Sequence, residues 1–159
     1  MSLAAVAVVV AVSYTPLATE APGVAFLEVG SRRITSLQSP ADSPAILSVP
    51  EKKVISVRCA ITAPSSSAVR VINWYIGDRN VTHQSQFMME YSATSDQYFS
   101  LSVLPVNVSR DLHNKRVTCV CEGDGSGDRP AVYQVTGLFD VMCKHSDLSF
   151  ARLCICMSG

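Results

Sequence analysis

Between residues 45 and 137 apolar side chains recur at every second position in short runs, and no segment repeats them at i, i+3, i+4 and i+7 for three turns. That constrains the chain to strands. Ile55, Val57, Cys59 and Ile61 share one parity, with Ser56, Arg58, Ala60 and Thr62 on the other. Because strand side chains alternate between faces, the first set belongs on a core and the second on a polar surface. Ile72, Trp74 and Ile76 repeat the pattern, Phe99, Leu101 and Val103 share a face, and so do Val117, Cys119 and Cys121; residues 131–136 read as one more strand. Turn chemistry separates the runs: Ala63-Pro-Ser-Ser-Ser67, Gly77-Asp78, Pro105, and the glycine-rich stretch 122–128. Several short strands with frequent turns form an antiparallel sandwich or barrel.

Composition narrows the function. Among 159 residues, 13 basic side chains balance 13 acidic ones, which argues against a general nucleic-acid binder or a polybasic membrane-surface protein. With 48% apolar and 16% charged residues the chain can bury a core. Residues 3–12 are an unbroken apolar run, too short to cross a bilayer but suited to a secretory signal over 1–21, with Thr19-Glu20-Ala21 as a small-x-small cleavage pattern. Residues 22–44 read as a linker or a short hairpin from Val24 to Leu37 around Gly30-Ser-Arg-Arg33. Residues 45–137 form the domain and 138–159 a cysteine-containing tail without a membrane-spanning run. Asn80-Val81-Thr82 and Asn107-Val108-Ser109 are N-glycosylation sequons at expected turns. Leader, sequons and six cysteines together point to a secreted, extracellular protein.

Cys59 and Cys119 each fall mid-strand on an inward parity, and Trp74 is inward on the strand after Cys59; Cys121 shares the parity of Cys119 and competes with it for Cys59. The segments Val57-Arg-Cys59, Ile72-Asn-Trp74-Tyr-Ile-Gly77, Phe99-Ser-Leu-Ser-Val103 and Ser109-Arg-Asp-Leu-His-Asn-Lys-Arg-Val-Thr-Cys119 resemble the immunoglobulin superfamily, the last of them the C2-type domains of nectin-like adhesion and immune receptors. The resemblance implies an all-β, immunoglobulin-like antiparallel sandwich with one inter-sheet disulfide, Cys59–Cys119, packed on Trp74. It also implies a non-enzymatic module that binds another protein in adhesion or immune-type signalling. One departure is Val117, where variable-type domains carry a tyrosine.

The remaining candidates concern partners and metals. Three histidines, His83, His113 and His145, without a Gly-x-Ser-x-Gly or His-Glu-x-x-His motif, give no catalytic constellation, and no cofactor is expected. Cys119-x-Cys121, Cys143-Lys-His145 and Cys154-x-Cys156 offer soft ligands for the competing reading, a small intracellular zinc-binding β-protein, but lack the usual spacing of structural zinc sites. Further disulfides fit an exported chain better. Cys121–Cys143 is the simplest second pair, and Cys154 or Cys156 could link two chains. Residues 124–128 fail as a calcium loop, since Arg129 stands where glycine is required and Val135 where the terminal glutamate belongs. Asp124 and Asp128 are instead expected in an end loop that meets a partner. With Trp74 inward, Val71, Tyr75, Thr118 and Val120 point outward as a contact patch anchored by the tyrosine.

Overall fold

The computed structural model describes residues 24–35, 44–124 and 131–142. Ten strands occupy them: β1 (Ala25–Val29), β2 (Arg32–Thr35), β3 (Ala45–Pro50), β4 (Val54–Pro64), β5 (Val69–Ile76), β6 (Arg79–Asn80), β7 (Gln86–Ser92), β8 (Gln97–Asn107), β9 (Arg116–Gly123) and β10 (Ala131–Met142). They form two five-stranded sheets, in the orders β2-β1-β4-β8-β7 and β3-β10-β9-β5-β6. All pairings are antiparallel except β3 with β10. Only three short 3-10 turns interrupt the strands.

The layers reach beyond the expected 45–137 on both sides. The hairpin β1–β2 turns at Gly30, in the left-handed region at φ +59°, and β1 pairs along β4, Leu27 opposite Cys59. Ala25, Leu27 and Ile34 are buried in the common core, so this segment is part of the sandwich rather than a linker. At the other end β10 runs to Met142 and buries Phe139 and Val141.

The core lies between the sheets: Leu47, Val49, Val57, Cys59, Ile61, Ile72, Trp74, Leu104, Val117, Cys119 and Val135. On β8 the parity is the reverse of what hydrophobicity suggests. Ser100 and Ser102 are fully buried, whereas Phe99, Leu101 and Val103 face outward. The serines are inward because each has a partner there: Ser100 donates to the Val69 carbonyl at 2.6 Å, and Ser102 accepts from Trp74 Nε1 at 2.9 Å. A buried indole N–H without an acceptor would cost about 1–3 kcal/mol. Ala60, expected on the polar surface, is also fully buried although it points outward, since it sits in a row with Phe26 and Leu101.

Close approach of β10 to β3 requires a glycine. A Cβ placed on Gly137 would come within 2.5 Å of Leu47 Cδ1. Gly137→Val should therefore destabilise the fold by about 1–3 kcal/mol through overpacking, measured by urea denaturation. Gly30→Asn, in open space at a left-handed turn, should leave the midpoint within about 0.5 kcal/mol.

Candidate functional site

Two features carry the site's chemistry: the sulfur cluster inside and the outer sheet face above it. Register places Trp74 opposite Cys119 on β9, and Cys59 reaches across from the other sheet to close the Cys59–Cys119 disulfide with its Cα atoms 6.4 Å apart. Of the two partners left open for Cys59, the fold selects Cys119. Cys121 remains a free, fully buried thiol with its Sγ 3.7 Å from that of Cys59. Burial pushes its pKa from the ordinary 9.0 up to about 12, so at neutral pH it is a protonated, poorly nucleophilic group.

Cys121 lies opposite Tyr133 on β10, and its expected pairing with Cys143 falls on a residue outside the described ones. The three sulfurs of Cys59, Cys119 and Cys121 lie within 4.8 Å of one another. Two of them are consumed by the disulfide, leaving one protonated thiol. Cys143, Cys154, Cys156, His145 and Asp128 lie outside the described residues, as do the leader and most of the tail.

The outer face of β10-β9-β5 holds the expected contact residues in adjacent rows. Tyr75 lines up with Thr118 and Thr136, Asn73 with Val120 and Gln134, and Val71 with Glu122 and Val132. Val71 is 45% exposed and Val132 57%, while Tyr75, Thr118 and Val120 are half-buried. Polar cross-links fix the rows: Thr118 and Thr136 hydroxyls meet at 3.1 Å, and Asn73 donates to Glu122 at 3.0 Å. Asp124 sits at the rim, bound by Arg70 at 2.8 Å, which offsets part of the loop's negative charge. Val132 carries no sequence signal of its own, since residues 131–136 read as a strand whose face the sequence does not assign. Its register with Glu122 and Val71 supplies that face.

No family model and no curated protein matches the sequence. The solved structures that resemble it include two multidomain chains. The crystal structure of Rst D1-D2 aligns with TM-score 0.52 and 14% identity over 76% of this chain and 50% of that one. The full ectodomain (Ig1-Ig3) of mouse nectin-like molecule 4 aligns with TM-score 0.52 and 14% identity over 77% of this chain and 34% of that one. The fold is immunoglobulin-like. The chain spans half or less of both of these structures.

Within an immunoglobulin-like domain the sequon residues take on structural work. Asn80 closes β6 and its Oδ1 accepts the Thr82 N–H at 3.0 Å, while Thr82 Oγ1 accepts the Trp74 N–H at 2.8 Å. Thr82 therefore holds the core tryptophan's backbone whether or not Asn80 carries a glycan. Asn107 ends β8 in an exposed position, and Ser109 donates to Asp111 in the 3-10 turn that follows.

The Cys121 thiol gives a pH signature. Its folded pKa is raised, so its stabilising contribution is complete below 9.0 and is lost as pH climbs towards about 12. Chemical denaturation between pH 8 and 11 should show stability falling across that window, by about 3 kcal/mol at pH 11. Cys121→Ser, which cannot ionise there, should remove that part of the slope. Peptide mapping after iodoacetamide treatment at pH 8 should find Cys121 unmodified in the folded protein and alkylated once it is unfolded.

Proposed function

We propose that this immunoglobulin-like domain is an extracellular protein-recognition module that meets its partner through the outer face of β10-β9-β5. The observation that carries the reading is the set of rows around Tyr75: a tyrosine framed by Val71, Val120 and Val132, with hydrogen-bonding threonines, Asn73 and Gln134 between them. Such a mixture suits recognition, because an amphipathic ring supplies contact area at low conformational cost and the polar frame fixes orientation. A crevice of about 540 Å³ beside Glu28, Arg32 and Arg58 lies in the other part of the sandwich and is open to solvent.

Export supports the same reading. The disulfide, the apolar leader and the exposed positions of Asn80 and Asn107 fit an oxidising compartment and a glycosylated product. Adhesion or immune-type signalling is the role this combination suits. A loop of 60 residues closed by the bridge contributes about 4 kcal/mol in the chain-entropy treatment, comparable with the whole stability of a small domain. A reducing cytosol would remove that contribution, which weighs against the intracellular zinc alternative.

Expression with its own leader in secretory cells should deliver the chain to the medium, with glycans at Asn80 and Asn107 and a Cys59–Cys119 peptide in the non-reducing digest. Retention in the cytosol with free thiols would reject the extracellular reading. Tetramers of the secreted chain, applied to a panel of intact cells, test the face. Tyr75→Asp should weaken binding at least about tenfold with an unchanged melting temperature, as expected for an interface anchor. Undiminished binding by the folded variant would move the contact elsewhere.

A further inference from the structure

Strand β7 is the edge of the other sheet, and all seven of its residues are exposed. An edge strand offers an unpaired row of backbone N–H and C=O groups, and soluble proteins normally blunt it with charge, proline, a bulge or shortness. Three of the four edges here are blunted. β2 has four residues and carries Arg32 and Arg33, β6 has two residues, and β3 lies between Pro44 and Pro50. β7 has no proline or bulge, is seven residues long, and carries a single charge, Glu90. Its sequence Gln-Phe-Met-Met-Glu-Tyr-Ser contains no lysine, arginine, proline or glycine, and it pairs with β8 in unbroken register from Gln86↔Val103 to Ser92↔Gln97.

Its side chains are apolar on both faces. Phe87, Met89 and Tyr91 share the face of the buried Ser102 and Ser100, yet are 44%, 37% and 48% exposed. Met88, 61% exposed, continues the outward row Phe26–Ala60–Leu101. Tyr91 is already held in place, its ring centroid 4.9 Å from that of Tyr98 and its hydroxyl donating to Asp96 at 2.9 Å.

We propose that β7 is a homodimer interface, pairing antiparallel with β7 of a second copy across a two-fold axis at Met89. The occupant follows from self-complementarity. In that register Phe87 faces the copy's Tyr91, Met89 faces Met89, and Glu90 faces Met88, so the two Glu90 carboxylates avoid each other; centring on Glu90 would oppose them. Aromatic cross-strand pairs are among the favourable ones. The area is also sufficient. At about 150–250 Å² per large side chain, the exposed fractions of Phe87, Met88, Met89 and Tyr91 leave roughly 400 Å² of apolar surface on each copy. With Gln86, Glu90, Ser92 and the strand backbone, two copies bury about 1,000 Å², the lower bound of a specific interface. Asn107 lies beyond the part of β8 that β7 covers, so a glycan there leaves the edge free. This surface is on the opposite sheet from Tyr75, and dimerisation stands or falls independently of partner recognition.

Sedimentation equilibrium of the secreted full chain tests it, with a non-reducing gel to separate this contact from a disulfide link through the tail. The expected result is a concentration-dependent dimer that migrates as a monomer on that gel. Met89→Lys and Phe87→Lys should each raise its dissociation constant at least about tenfold while Tyr75→Asp and Ile46→Lys, on the other sheet, leave it unchanged. Amide exchange reads the same contact without a variant, since β7 amides should gain protection as concentration rises. A chain that stays monomeric to about 200 µM, a dimer indifferent to both lysine variants, or β7 exchange independent of concentration overturns the proposal.

Discussion

The hydrogen bond from the Trp74 indole to Ser102, made in the centre of the sandwich beside the Cys59–Cys119 bridge, is the constraint from which the rest of the arrangement follows. A tryptophan at zero exposure brings one N–H into a region without water, and an acceptor must be built there. Ser102 is that acceptor. Once it points inward, alternation forces Ser100 and Leu104 inward with it and turns Phe99, Leu101 and Val103 to the outside. One polar pair thus sets the facing of an eleven-residue strand.

That dependence explains what could be read from the chain alone. The inward parity of Cys59 was legible because its run alternates with Ser56, Arg58 and Thr62, and alternation carried it to Trp74 and Cys119. The two-sheet architecture and most turns were legible too. The facing of β8 was not legible by counting apolar residues, because the deciding contact lies 28 positions away in sequence. The hairpin β1–β2 was visible as turn chemistry. Its place in the core depends on only three buried side chains, Ala25, Leu27 and Ile34, too few to show a pattern. Cys121 illustrates a different gap. Parity made it a competitor for Cys59, and the 3.7 Å separation shows how near the competition is, but only the register along β9 chooses Cys119. On the binding face Tyr75, Val71 and Val120 were visible as outward positions. The ion pair of Asp124 with Arg70, 54 residues earlier, was not.

The two sheets have equal numbers of strands but unequal cover. β8 lies against β5 and β1 against β10, so the place opposite β7 falls to β6. β6 is two residues long because the chain turns at Gly77, in the left-handed region at φ +57°, and is then drawn back towards Trp74 by Asn80 and Thr82. The same hydroxyl that secures the tryptophan's backbone therefore shortens the strand that would have roofed β7. Phe87, Met89 and Tyr91 keep a core-facing parity with no described strand above them. Among the described residues, their exposure follows from how the tryptophan is held rather than from a local irregularity of β7.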